Sequence, residues 1–175
     1  HKHKCPKCGR IWENDARMDT AWISRYNGAR ARNVHDLGLA WLLTGDAAYK
    51  DKAVEILYDY ATAYPKLEIR GARSTSGNTK LSLNSLHSSY KLPGFAEGYA
   101  FIRAGRIPEA KRAKIEHFLL DSATRIAQHS VEYSNQQAEH FRAYGTAGIT
   151  LGFWPLAAEA IHGDFGWHQV VEYRS

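Results

Sequence analysis

Residues 133–146, YSNQQAEHFRAYGT, carry a density of directional hydrogen-bonding groups just ahead of an apolar run, AGITLGFWPLAAEAI. On a helix, Gln137, His140 and Tyr144 stand at i, i+3 and i+7 and share one face. Asn135 sits just before them, where an N-cap belongs. An amide, an imidazole and a phenol on one face can hold a polar ligand, and the imidazole titrates near neutral pH. The plainer alternative is a capped helix with one satisfied histidine.

A second polar group lies in TKLSLNSLHSSYK. If one helix runs through it, Lys80, Asn84, His87 and Lys91 fall at i, i+4, i+7 and i+11 and form a basic stripe. Leu83, Leu86 and Tyr90 then lie on a different face and can reach the core. Solvated faces favour Glu and Lys, whereas Asn and His supply hydrogen-bond geometry. A solvated face and a binding face both remain open here. At the start, HKHKCPKCG holds both cysteines of the chain. Cys5 and Cys8 have the spacing of a zinc-knuckle half-site, in which two thiolates hold one tetrahedral metal. A closed site needs further ligands; His1 and His3 are the nearest, and His35 is another. Such a zinc would be structural. Free thiols or a disulfide within the turn are the alternatives.

The elements that position these groups are helical. Val34, Leu37 and Trp41 share a face, and TGD breaks the pattern: Gly45 suits a helix C′ position and Asp46 an N-cap. Ala53, Ile56, Leu57, Tyr60, Ala61 and Tyr64 follow helical periodicity up to Pro65. IRGARSTSGNTK reads as a loop of the kind that carries function. The spacing predicts a third helix from near Lys80, kinked or split at Pro93-Gly94, with Leu92, Phe95, Ala96, Tyr99 and Ile102 inward. Pro108 suits N1 of a fourth helix whose stripe is Ile115, Phe118, Leu119, Ala123 and Ile126. A fifth runs from about Gln136 to Gly152 and a sixth from Pro155 to Ile161. No segment alternates convincingly with period two, so the expected fold is all-α, built of antiparallel helix hairpins. Residues 1–11 form the candidate knuckle and 12–175 the helical part.

The length, 175 residues, suits one domain with a sizeable core. No apolar run approaches a membrane span. The net charge of +5 suits an anionic partner or simple solubility. No dense Lys/Arg run follows the first ten residues, which argues against nucleic acid. There is no initiator Met and no signal peptide, so the chain is expected to be a piece of a longer or processed protein.

Four of these stretches together resemble the helical domain of the heparinase II/III-like polysaccharide lyases, a group that includes alginate and oligoalginate lyases. They are CPKCG before an aromatic-rich first helix, DLGLAWLLTGDAAYKDKAVEILYDYATAYP, NSLHSSYKLPGFAEGYAFI and NQQAEHFRAYGTAGITLGF. The resemblance implies an incomplete (α/α) toroid, usually followed by a β-sandwich domain of the same parent chain, in a periplasmic or secreted protein. It implies β-elimination on a uronic-acid polysaccharide without a redox cofactor. Neutralising the uronate carboxylate acidifies the neighbouring C5 proton, a base removes it, and an acid protonates the leaving oxygen. By resemblance Asn135, His140 and Tyr144 are the catalytic candidates, and Lys80, Asn84, His87 and Gln137 the substrate-binding ones. The chain departs from the family in two respects. It ends at GWHQVVEYRS, before the segment that carries the family's catalytic Tyr, and it has His87 where many relatives carry an acid. The expected site is therefore partial, and its edge apolar. A toroidal glycoside hydrolase would need a carboxylate pair from Glu97, Glu139 or Glu159. A non-catalytic carbohydrate-binding module and a zinc-containing nucleic-acid binder are further alternatives.

Overall fold

A computed structural model of the chain describes residues 2–69, 79–82, 84–129 and 135–173. The fold is mostly helical, with its helices packed antiparallel. It departs from all-α at the start, where β1 (Lys2–Lys4) pairs antiparallel with β2 (Ile11–Glu13) and His3 faces Trp12. Three-residue strands are too short to leave a readable alternation. The hairpin ends at Glu13, and Asp15 opens α1 (Ala16–Thr44) by accepting from the Arg17 and Met18 amides.

The turn between α1 and α2 (Ala47–Ala63) follows the sequence expectation closely. Gly45 takes φ 72 and donates its amide to the Trp41 carbonyl, and Asp46 accepts from the Ala48 amide. A left-handed residue there favours glycine, because a Cβ would clash with the backbone. Pro65 lies in a 3-10 turn, Tyr64–Lys66, that ends the α2 segment.

The expected third helix is divided differently. It starts at Ser85, not near Lys80: α3 (Ser85–Ser89) is capped by Asn84, whose side chain accepts from the His87 amide at 2.8 Å. The preceding residues spend their polar groups on other bonds. Thr79 Oγ1 donates to the Asn84 carbonyl, and the Leu81 carbonyl accepts from Asn27. Ser, Thr and Asn offer the backbone such alternatives to a helix. Tyr90, expected inward, is 54% exposed. Pro93 then sits in the first turn of α4 (Leu92–Ile102), where its missing amide costs nothing.

Helix α4 is the axis of the core. Leu92, Phe95, Ala96, Tyr99 and Ile102 are fully buried, and α1, α2, α5 (Glu109–Ala127) and α6 (Asn135–Leu151) all pack on it. Pro108 caps α5, one position before the N1 expected, and the whole predicted stripe of α5 is buried. An aromatic cluster fills the centre: Phe95 lies 4.7 Å from Tyr60 and 5.7 Å from Phe118, ring centre to ring centre. Helices α7 (Trp154–His162) and α8 (Trp167–Tyr173) close the far side of α6; the second was not foreseen.

The α1–α4 contact is a backbone contact. A Cβ on Gly98 would lie 2.5 Å from the Val34 carbonyl oxygen, one on Gly38 2.7 Å from the Gly98 carbonyl, and one on Gly94 2.9 Å from the Ala31 carbonyl. Gly98→Ala should therefore lower stability by roughly 1–3 kcal/mol through overpacking, although Ala is the better helix former by about 1 kcal/mol. Gly28→Ala, where a Cβ meets nothing within 4 Å, should instead stabilise by roughly 0.5–1 kcal/mol. Urea midpoints at unchanged slope measure both; equal effects of the two substitutions would contradict the close crossing.

Candidate functional site

The face shared by Gln137, His140 and Tyr144 exists, and it points inward. All three are buried, at 1%, 3% and 1% exposure, where α6 meets α3, α4, α5 and α7. Gln137 Nε2 donates to the Phe165 carbonyl at 3.1 Å and ties α6 to the turn before α8. Asn135 stands exposed in the first turn of α6, apart from the buried trio. Arg142 is paired with Glu139 on the outer face.

His140 is the unusual member, because among the described residues neither ring nitrogen has a hydrogen-bond partner. Burial drives its pKa down to about 4, helped by the nearby His129 and opposed by Glu139. The ring is therefore neutral at physiological pH, with one donor and one acceptor unsatisfied. A buried polar group without a partner costs about 1–3 kcal/mol.

The predicted basic stripe comes apart. Asn84 is spent as the cap of α3. His87 is exposed, and its pKa is lowered first by partial burial and then by Lys91. Lys80 lies outside any helix; its ammonium reaches the Pro65 carbonyl at 3.3 Å and stands over the Tyr64 ring. Lys91, read from its spacing as part of a surface stripe, is 5% exposed. It donates to the His87 carbonyl at 2.7 Å and to Ser82 Oγ at 3.3 Å. Burial lowers its pKa to about 8. The run of small serines around it was the available signal: Ser85, Ser88 and Ser89 are all buried and leave room for a long side chain to fold inward.

A cavity of about 330 Å³ lies between α1, α2 and residues 79–82. Tyr26, Asn27, Tyr60, Lys80, Leu81 and Ser82 line it. Asn27 holds two of its walls together, donating to the Leu81 carbonyl at 2.9 Å and accepting from the Tyr60 hydroxyl at 2.7 Å. Tyr26 is stacked on Trp22 at 5.1 Å. Sequence periodicity gave no hint of this cavity, because its walls come from three separate segments. Most of the loop expected to carry function, 70–78, lies outside the described residues, as do Leu83 and Tyr133.

In the hairpin, Cys5 donates its amide to the Arg10 carbonyl and accepts from the Gly9 amide, with Gly9 at φ 73. The Cys8 and Lys7 amides and the Cys8 thiol lower the Cys5 pKa. Both cysteines are free thiols. His3 donates to Asp19 at 2.5 Å, and His35 lies beside Asp36 and Glu97. His1 lies outside the described residues. Among the described residues no three His, Cys, Asp or Glu side chains converge as a metal site needs, so they supply a two-thiol half-site and no closed zinc shell. No described helix is long and apolar enough to cross a membrane.

Comparison with models of known protein families and with curated proteins gives no match.

The histidine makes a specific stability prediction. Below about pH 6.5 the unfolded imidazole takes up a proton that the folded one refuses until about pH 4. The native protein therefore loses stability as pH falls through that window, by up to about 3 kcal/mol. His140→Leu should be more stable than the parent, with a gap that widens from pH 7 to pH 4 in denaturant titrations. A gap independent of pH would mean that His140 is not held neutral.

Proposed function

We propose that the chain is part of an incomplete (α/α) toroid of a polysaccharide lyase acting on a uronic-acid polymer by β-elimination. The observation that carries this reading is His140: a neutral imidazole, kept inside the fold, whose two ring nitrogens meet no hydrogen-bond partner among the described residues. The order of the four motifs resembling the lyases supports it, as do the antiparallel helix pairs.

Its low basicity narrows the role of His140. A group titrating near pH 4 removes a C5 proton poorly at neutral pH. As a neutral donor it can still stabilise the negative charge that grows on the uronate carboxylate as C5 loses its proton. Asn135 is the second donor in this scheme. Gln137, committed to the Phe165 carbonyl, orients α6 instead. Tyr144 is the phenol on the same face and the candidate for proton transfer. The ring of His140 is covered in the free protein, so substrate binding has to displace its cover. A β-sandwich domain of the parent chain is the proposed partner, and Leu43, Ile149 and Trp154 offer exposed apolar surface for it. The proposed setting is periplasmic or secreted, with an acidic polysaccharide and no nucleic acid as the ligand.

Alginate, heparan, hyaluronan and related polyuronates, screened by ultraviolet absorbance, test the reading. The expected result is an unsaturated product from one of them, with the rate cut roughly 100-fold or more in His140→Leu. Reducing ends that appear without ultraviolet absorbance would point to hydrolysis and end the lyase reading.

A further inference from the structure

We infer that the cavity between α1, α2 and residues 79–82 is a subsite for a single uronic acid residue, with Ser82 at its anionic end and Lys91 behind Ser82, outside the lining. This deepens the polyuronate reading by naming a place and a charge partner for one sugar, and it rests on that reading for the choice of ligand.

Lys91 is a buried ammonium that forms no ion pair among the described residues. Buried charges are ordinarily paired, because the loss of hydration is otherwise uncompensated. Two of its three N–H donors go to neutral oxygens, the His87 carbonyl and Ser82 Oγ. An apolar side chain of similar length would fill the same space more cheaply. Among the described residues the charge is therefore unbalanced, and an anion would balance it.

Ser82 connects that charge to the cavity. Its hydroxyl oxygen accepts from Lys91, and the same residue forms part of the cavity wall. A hydroxyl that accepts from an ammonium becomes a stronger donor through its own proton. Lys80 adds a second cation to the lining, while Asp59, the acid in the same lining, suits a sugar hydroxyl better than a second anion. Tyr26, with Trp22 stacked on it and the Arg30 guanidinium 5.0 Å over its ring, gives the lining a rigid aromatic side. The volume, about 330 Å³, is at the small end of ligand sites and fits one monosaccharide better than a longer chain.

Calorimetric titration with glucuronate, glucose and glucose 6-phosphate tests the assignment on the intact chain. Glucuronate should bind roughly tenfold or more tighter than glucose, the weight of one hydrogen bond to a charged group. Lys91→Met should remove that preference while remaining folded, since it replaces a charge that has no counter-charge among the described residues with an apolar chain of similar reach. Ser82→Ala should weaken glucuronate and leave glucose unchanged. Equal binding of glucuronate and glucose, or a preference that survives in Lys91→Met, overturns the inference. Tighter binding of glucose 6-phosphate than of glucuronate overturns the carboxylate assignment. Uronate binding that depends on Lys91, with no unsaturated product from any polymer, would sink the lyase reading and leave this subsite standing. Product formation unaffected by Lys91→Met, with no uronate preference, would do the reverse.

Discussion

The crossing of α1 on α4 sets the spacing of everything else. Three glycines, Gly38, Gly94 and Gly98, remove the side chains that would hold the two backbones apart. With the helices this close, Val34 and Ala31 pack directly on α4, which is buried along nearly its whole length. The other helices then arrange themselves around a thin, apolar axis. The aromatic cluster of Tyr60, Phe95 and Phe118 fills the space left between α2, α4 and α5. The cavity lies along the N-terminal half of α1, where Tyr26 and Asn27 line it together with Tyr60 of α2 and residues 80–82.

Two polar groups sit inside this apolar frame without the partners that burial usually demands. Among the described residues His140 lacks a hydrogen bond and Lys91 lacks a counter-charge. Their shifts share a leading cause, desolvation, and one consequence, that both are held toward the neutral form. Groups whose protonation is tuned by burial cluster at functional sites, although structural networks can produce the same signature. They stand on different elements, α6 and the junction of α3 with α4, and α6 packs against both helices.

Much of the helical framework was legible because its signals are local. Gly45 followed by Asp46 is a stop and a start written in adjacent residues, and both behave as read. The α5 stripe from Ile115 to Ile126 is buried at every expected position, since a helix of that length repeats its pattern several times. The segment from Lys80 to Lys91 was misread for the opposite reason. Its spacing matches a helix, but Thr79, Asn84 and the serines spend their hydrogen bonds on the backbone, and this outcome depends on Asn27 from far along the chain. The inward direction of the His140 face was legible as a shared face but not as a buried one. Periodicity gives the relative positions of side chains, and only tertiary packing decides which side meets solvent. The cysteine pair kept its turn geometry, while further metal ligands would have to come from residues that spacing alone cannot place.

Asn27 has a consequence of its own. The segment 79–82 carries no helix or long strand, and its attachment to the bundle includes the Leu81–Asn27 bond and the Thr79–Ser88 hydroxyl contact at 2.5 Å. Leu81 is also buried in the hydrophobic core, so this wall is anchored by packing as well as by those bonds. Asn27 also accepts from Tyr60 on α2 through its other amide atom, so the same side chain joins α1, α2 and the wall. The placement of the cavity's third wall thus passes through one side chain, Asn27, which the first two helices position together.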